Sequence, residues 1–312
     1  MPQSEQTLDY AGKSAHKRRI FAPKLTMIAH ESPFALRFML VRDPVLAFQQ
    51  ANRHVEPMND ELSTRVPWPA NFPDVVIHTD VRTRDSHPGY AAAKSGDADA
   101  GLMLAADLLS PDGLAHIQAL VGGRPTLLLP VVADELTGFN AIPDAMAQFL
   151  GSRLGLPVIA GEIVQTNKVG HTRAPAFQRL VTPATFEGQV QPGAKYVLVD
   201  DHVGLGGTLA NLRGYVEARG GEVIAITTLT ESRDARIISL QPETRIVLWE
   251  RHGKALDDLW QSQFGYGIDC LTEVEALNLC RQHSVAAIED FLAQAAVEAR
   301  GRGLQTAVEP GD

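Results

Sequence analysis

The chain has 312 residues, a length that allows one main domain with appendages and a substantial hydrophobic core. Hydrophobic residues make up 45% of the chain and charged residues 21%, a composition that excludes general disorder. The formal charge of -9 gives an acidic surface that repels a polyanion, so nonspecific nucleic-acid binding is not expected without a local basic patch.

The cysteines and the hydropathy pattern bear on location. Cys270 and Cys280 stand without a second cysteine pair or a histidine set at zinc spacing, which predicts reduced thiols in a cytoplasmic protein. The basic residues near the N-terminus are not followed by an apolar segment, and no uncharged apolar run is long enough to span a bilayer. We therefore expect neither secretion nor a membrane partner.

The first 72 residues mix charge, proline and short apolar runs, which is typical of an N-terminal extension. A short strand is predicted at residues 75–77. An Ala/Leu-rich helical pair follows over residues 90–109, interrupted at Gly96 and started again by Asp97 as an N-cap.

From Leu114 onward helices and strands alternate. Helices are predicted to end at Gly122 and at Gly155, where glycine can adopt the left-handed conformation that stops a helix. Apolar runs predict strands over residues 126–132, 157–164, 196–199, 223–229 and 245–249, with a helix over residues 208–219. Repeated units of this kind predict an α/β fold, a doubly wound parallel sheet with helices on both faces.

Beyond Arg251 the strands stop. Residues 272–280 and 284–299 are predicted helices, the first opened by a capping box from Thr272 to Glu275. The predicted organisation therefore has three parts: an N-terminal extension over 1–72, an α/β core over 73–250 and a C-terminal helical segment over 251–312.

The segment from Tyr196 to Leu209 reads YVLVDDHVGLGGTL and is the most informative part of the chain. A hydrophobic strand ends in Asp200 and Asp201, and a glycine-rich loop then leads to a helix start at Thr208. Ligands bind at this edge of an open α/β sheet. Free backbone N–H groups at a helix N-terminus favour a phosphate, while two carboxylates suit sugar hydroxyls or a Mg²⁺ ion that bridges sugar and pyrophosphate.

Other glycine-rich loops fit this segment less well. A P-loop requires a lysine before the Ser/Thr, where Gly207 stands, and a dinucleotide fingerprint requires glycine where Leu209 stands. A purely structural loop leaves the acidic pair unexplained. A phosphorylated sugar accounts for both halves of the motif.

This segment resembles the signature of type I phosphoribosyltransferases, which bind 5-phosphoribosyl-1-pyrophosphate (PRPP). The resemblance implies that Asp200 and Asp201 bind the ribose hydroxyls and act with Mg²⁺. It also implies a loop that holds the 5-phosphate: Gly204, Leu205, Gly206, Gly207 and Thr208. Because Gly204 and Leu205 stand where the family often has two threonines, backbone amides carry more of the phosphate binding here.

Two upstream stretches extend the resemblance. Ala133, Asp134 and Glu135 lie where the family has its pyrophosphate loop, although the two acids also suit a solvated loop face or a helix cap. The run 137–140 is most similar to the competence-associated branch of the family, on which an assigned base substrate is often lacking.

The long polar stretch over residues 166–188 corresponds to the hood that covers the family's active site. Lys168 and His171 are similar in kind to a lysine and a histidine that approach the pyrophosphate in orotate-type enzymes; plain surface charges are the alternative. Trp249, after the last predicted strand, suits either stacking on a base or an ordinary core position.

The resemblance implies a phosphoribosyltransferase that uses PRPP, Mg²⁺ and a nitrogenous base or nucleotide, in the cytoplasm and as a homodimer. Two alternatives stay open. One is a PRPP-binding regulator without catalysis, and the other is a DNA-processing accessory protein of the competence type.

Overall fold

The computed structural model describes residues 65–135, 138–169 and 174–308, without the side chains of residues 134 and 135. Every described residue belongs to one compact unit, assigned to residues 42–312. Most of the predicted N-terminal extension therefore lies outside the described residues, and its separate status stays a prediction.

A four-stranded parallel sheet forms the centre of the described chain. Its strands are β1 (Val76–Ile77), β2 (Thr126–Pro130), β7 (Lys195–Val203) and β8 (Glu222–Glu231), in the order β1-β8-β7-β2. The register places Val197 opposite Leu128 on one side and opposite Ala225 on the other. All three pairings are parallel, which confirms the predicted α/β class.

Helices cover both faces of this sheet, because successive strand residues point to opposite sides. On one face Leu128 and Val197 pack in the same apolar cluster as Leu104 and Met146. On the other face Leu198 packs in a second cluster, which includes the helix that follows β7. The sheet is therefore doubly wound, as predicted.

Seven described helices lie before or directly after β7. Six of them are α1 (Val81–Ser86), α2 (Tyr90–Lys94), α3 (Ala98–Leu108), α4 (Pro111–Val121), α5 (Ile142–Leu154) and α7 (Gly207–Ala218). The predicted N-cap and the predicted glycine stops are present at the ends of three of these helices. Asp97 caps α3 by accepting from the amide of Ala100 at 3.0 Å, and Gly122 and Gly155 end α4 and α5 in the left-handed conformation.

Two small antiparallel pairs stand beside the sheet. They are β3 (Asp134–Glu135) with β4 (Gly138–Phe139), and β5 (Ile163–Gln165) with β6 (Phe186–Gly188). The strand predicted over 157–164 is wrong in its extent: only Val158 bridges to Leu128, and β5 pairs with β6 instead. The short helix α6 (Ala176–Val181) lies in the connection between β5 and β6.

The C-terminal segment consists of helices, as predicted, but it begins earlier. Its helices are α8 (Pro242–Phe264), which has a kink at Gly253, α9 (Glu273–Cys280) and α10 (Val285–Gly301). The strand predicted over 245–249 is wrong, because these residues lie inside α8 and present a helical alternation of buried Leu248 with exposed Ile246 and Trp249. The proposed division at residue 250 therefore falls within a helix.

These helices have a core of their own around the fully buried Trp260. The capping box of α9 is present: the Thr272 hydroxyl accepts from the amide of Glu275, whose carboxylate accepts from the amide of Thr272. No described helix is both long and apolar enough to cross a bilayer.

Candidate functional site

The acidic pair and the glycine loop lie at the carboxyl end of β7, in the centre of the sheet. Asp200, Asp201 and His202 directly precede Val203, the last residue of the strand. Residues 204–206 then turn the chain into α7, which begins at Gly207. Gly206 has φ of +82°, a left-handed conformation that glycine adopts without strain. The predicted strand, loop and helix start are therefore all present.

The amides of this loop are available to a ligand. Among the residues that the structure describes, none accepts a hydrogen bond from the N–H groups of residues 204–208. Gly204, Leu205, Gly207 and Thr208 are each half-buried and reachable from one side. Helix N-termini with free amides attract anions, since the peptide dipoles add their positive ends there.

The other side of the loop is fixed by helix α9. The Thr272 hydroxyl donates to the carbonyl oxygen of Leu205 at 2.5 Å. A Cβ atom at Gly206 would lie 3.1 Å from the Thr272 methyl group, and one at Gly207 would lie 2.9 Å from a Glu275 carboxylate oxygen. Glycine is therefore required here for close packing against α9 as well as for turning the chain.

The Glu275 carboxylate beside the loop is neutralised. Both of its oxygens accept from the Arg65 guanidinium, at 2.6 and 2.9 Å, in a pair that is almost fully buried. Arg65 also donates to the Asn211 side chain at 2.6 Å. Because a paired carboxylate presents little net charge, it does not oppose an anion at the neighbouring helix N-terminus.

Asp201 is buried and held by two polar neighbours. Lys94 of α2 donates to its carboxylate at 2.8 Å, and Asn140, which follows β4, bonds the same carboxylate. Burial raises the pKa of Asp201, but the charge and hydrogen bond of Lys94 and the contributions of His202 and Asn140 outweigh it and leave the pKa below its ordinary value. Asp201 is therefore ionised.

Asp200 is the more accessible of the two acids. It is half-buried, and its carboxylate accepts from the amide of Asp201 at 2.8 Å. The pleat of β7 turns the two acidic side chains toward opposite faces of the strand. The Asp201 carboxylate thus faces α2, and the Asp200 carboxylate lies on the other face of the strand.

His202 joins a polar chain across β8. Its Nδ1 atom lies 2.9 Å from the Thr230 hydroxyl, which also accepts from Arg84 of α1 at 2.8 Å, and its Nε2 atom lies 3.1 Å from the Ser232 hydroxyl. Burial lowers the pKa of His202; Asp201 opposes this shift, and the nearby cations reinforce it. The imidazole is therefore neutral at pH 7.

A cation from the hood reaches the glycine loop. A Cβ atom at Gly204 would lie 2.7 Å from the Nη1 atom of Arg179 and 3.7 Å from the Ser232 hydroxyl. Arg179 lies on α6, and its Nε group donates to the carbonyl oxygen of Ala174 at 3.0 Å. Burial lowers the pKa of Arg179, yet a guanidinium keeps its charge at neutral pH.

The donor set suits a Mg²⁺ ion that arrives with its ligand. Within the described parts of the chain no three or more histidine, cysteine, aspartate or glutamate side chains cluster as a metal site would require. Asp200 and Asp201 supply two carboxylates, one of them already engaged by Lys94. Mg²⁺ commonly takes one or two protein carboxylates and completes its shell with water and phosphate oxygens, so the residues fit a chelate with a pyrophosphate.

The structure brings some of the predicted residues together and separates or omits others. Asp200, Asp201 and the loop 204–208 form one edge, and Ala133 lies on the connection that ends at Asn140 beside Asp201. The backbone of Asp134 and Glu135 forms β3, while their side chains are not described. Lys168 is exposed after β5, and His171 lies outside the described residues.

Trp249 does not stack at this edge. It lies on α8, half exposed, and is neither a residue after a core strand nor a buried core residue as the two sequence interpretations required. Both interpretations of Trp249 depended on a strand over 245–249. They fail because Trp249 lies on the surface of a helix and not at the end of a strand.

Sequence reasoning did not select three residues that the structure places at the site: Lys94, Asn140 and Arg179. Lys94 belongs to a polar cluster over residues 94–97, which a turn and a helix cap explain better than contact with a base or a partner. Asn140 stood in the stretch that resembles the competence-associated branch, and Arg179 was one of several hood cations. A buried carboxylate needs a cation, and that requirement is the signal that could have directed a search toward Lys94.

The chain is similar to known proteins over part of its length. No family model matches the chain. Over 238 residues it is 44% identical to Protein TraN of Escherichia coli, a match that covers 76% of this chain and 53% of that protein. An uncharacterised protein of Haemophilus influenzae is 36% identical over 165 residues, covering 53% of this chain and 37% of that protein. The chain thus spans about half or less of the length of these curated relatives.

Among solved structures, adenine phosphoribosyltransferases resemble the fold. One of them matches with 13% identity and a TM-score of 0.27, covering 44% of this chain and 71% of that chain. This score is too low to bear on function. The names of the two curated relatives assign no activity, so the activity has to be argued from the site itself.

Proposed function

We propose that this chain binds PRPP as a Mg²⁺ chelate and transfers its phosphoribosyl group to or from a nitrogenous base. One observation carries the proposal: ionised Asp201 and accessible Asp200 end the strand that leads directly into a loop of unbonded amides. A sugar phosphate has hydroxyls for the carboxylates and a dianion for the amides.

Each half of the site has a defined task. Asp200 and Asp201 accept hydrogen bonds from the ribose hydroxyls and fix the ring. The amides of residues 204–208 hold the 5-phosphate. With the sugar held at both ends, C1 has a fixed position relative to an incoming base, and this positioning alone lowers the barrier substantially.

The reaction needs no nucleophile from the protein. The bond between C1 and the pyrophosphate oxygen breaks and its electron pair leaves with pyrophosphate. A ring nitrogen of the base forms the new bond to C1, and a proton carried by that nitrogen passes to solvent. Mg²⁺ chelated by the pyrophosphate supplies charge neutralisation for the leaving group. Lys94 and Arg84 lie at the same edge, and their positive charge stabilises the same developing negative charge.

The test is calorimetric titration with PRPP, with and without Mg²⁺, followed by assay of pyrophosphate release over a panel of nucleobases. We expect binding that Mg²⁺ strengthens, and release with at least one base. The variant D200N/D201N should lower turnover by orders of magnitude while the chain stays folded at the assay temperature, although loss of the Lys94–Asp201 ion pair lowers its melting temperature. Asp258→Asn, an exposed site on α8, is the matched control. Unchanged activity of the double variant would refute the assignment.

A PRPP-binding regulator without catalysis is the second candidate. The observation that favours it is that Gly204 and Leu205 stand where phosphoribosyltransferases often have two threonines. The loop 204–208 thus keeps its backbone amides but lacks two hydroxyl donors for the phosphate. Binding without pyrophosphate release for any base would support this candidate. The net charge of -9 continues to weigh against a DNA-processing role, and salt-sensitive DNA binding would reverse that judgement.

A further inference from the structure

We infer that Arg179 of α6 holds the phosphate of the bound sugar together with the glycine loop, as a replacement for the hydroxyls that Gly204 and Leu205 lack. The inference rests on the proposed function, because it assigns one more partner to the same ligand. It also specifies the ligand class as a phosphomonoester dianion on a sugar.

Gly204 and Arg179 fit each other. The Nη1 atom of Arg179 occupies the space next to the Gly204 Cα, so that an added Cβ would lie only 2.7 Å from it. Gly204 has no left-handed backbone conformation that would itself require glycine. The glycine is therefore explained by the guanidinium above it, and any larger residue displaces that guanidinium.

Arg179 carries a positive charge that no carboxylate of the described residues neutralises. Its Nε group is held by the Ala174 carbonyl oxygen, and within the described chain no carboxylate lies within ion-pair distance of it. Partial burial deprives the charge of water, and such a cost is normally offset by a paired anion. Gly204, against which the Arg179 guanidinium packs, opens the loop whose N–H groups, residues 204–208, bond to no described acceptor. An anion bridging the two satisfies both.

Two further polar groups converge on this gap. The Ser232 hydroxyl lies 3.7 Å from the same Gly204 Cβ position and bonds His202 at 3.1 Å. Arg179, Arg84 and Lys94 all contribute to keeping the His202 pKa low, which places their positive charge around this imidazole. The site therefore combines amides, a hydroxyl and a guanidinium, the donors that recognise a phosphate.

The direct test compares ribose 5-phosphate with ribose as calorimetric probes of the full chain. We expect ribose 5-phosphate to bind and ribose to bind much more weakly. Arg179→Ala should weaken ribose 5-phosphate binding about tenfold to hundredfold, the range for a charge-assisted hydrogen-bonded pair. Arg179→Lys should keep part of the affinity. Arg153→Ala, at the far end of α5, is the charge-matched control and should bind as wild type does.

A second variant separates binding from folding. In Gly204→Ala the new methyl group meets the flexible end of Arg179, which moves aside at small cost in stability. We expect a wild-type melting temperature together with an affinity loss similar to that of Arg179→Ala. A structural role of Arg179 would not produce this combination.

The outcomes distinguish the two proposals. If wild-type protein binds neither PRPP nor ribose 5-phosphate, the proposed function fails and this inference fails with it. If wild-type protein binds ribose 5-phosphate while Arg179→Ala and Gly204→Ala bind it equally well, the role of Arg179 is wrong and the proposed function stands. Adding Gly204→Thr to Arg179→Ala should restore part of the affinity for ribose 5-phosphate, because the threonine hydroxyl then fills the space that the guanidinium left.

Discussion

Lys94 and Asp201 form a partly buried ion pair, and this pair controls the charge of the site. The Lys94 ammonium is the main reason why the pKa of Asp201 stays below its ordinary value in spite of burial. Lys94→Met therefore leaves a buried carboxylate with less compensation. We expect a loss of about 3 kcal/mol in the free energy of unfolding at pH 7, at the lower end for broken buried pairs.

The loss of stability in Lys94→Met depends on pH. A carboxyl group with a depressed pKa contributes stability above its unfolded pKa and loses it as pH falls through the folded pKa. In Lys94→Met the largest contribution that opposes burial is gone, so the pKa of Asp201 rises and the carboxyl takes up a proton at a higher pH. The gap between wild type and variant should therefore shrink from pH 7 to pH 4 in urea denaturation. A gap that stays constant would contradict the role of the ion pair.

His78 is a second buried titratable residue with a defined state. The amide of Ser110 donates to its Nδ1 atom, so its Nε2 atom carries the proton and donates to the Thr227 hydroxyl. Burial lowers the pKa of His78 to about 4. The unfolded chain takes up a proton near the ordinary value of 6.5, whereas the folded chain resists until about 4.

Wild-type protein should therefore lose about 3 kcal/mol between pH 7 and pH 4 through His78 alone, at 1.36 kcal/mol for each pKa unit. His78→Gln has no such titration, and its stability curve should be flatter by this amount in that interval. Denaturation at several pH values measures it, and an NMR titration of the His78 ring locates the pKa. A ring that titrates near 6.5 would contradict the burial argument.

Helix α9 stabilises the glycine loop as well as its own core. The Thr272 hydroxyl caps α9 and donates to the Leu205 carbonyl oxygen, whereas Ser284 caps α10 through Ala287 without touching the loop. Thr272→Val and Ser284→Ala should each cost about 1 kcal/mol of stability as lost caps. Only Thr272→Val should also weaken PRPP binding, about threefold to tenfold. Equal binding by the two variants would show that α9 has no influence on the loop.

The elements with strong local signals could be predicted from the sequence. The run from Tyr196 to Gly207 combines an apolar strand with a glycine turn and a helix start, and each feature is fixed within a few residues. The capping box at Thr272 is local in the same way. The strand over 245–249 failed because an apolar run of five residues suits a strand and one turn of a half-buried helix equally well.

The site as a whole brings together parts of the chain that no local pattern connects. Lys94 and Asp201 are separated by 107 positions along the chain, and Arg179 reaches the loop from a short helix in the hood. Their contact follows from the order of the strands and from how α2 and α6 pack against the sheet edge. A single sequence therefore indicates the acidic pair and the loop, and only the fold reveals the cations that complete them.

The most direct measurement is a crystal structure of the chain grown with PRPP and Mg²⁺. We expect the ribose hydroxyls on Asp200 and Asp201, and the 5-phosphate between the amides of residues 204–208 and the Arg179 guanidinium. A structure in which the ligand binds elsewhere, or in which this edge stays empty at saturating PRPP, would contradict this expectation.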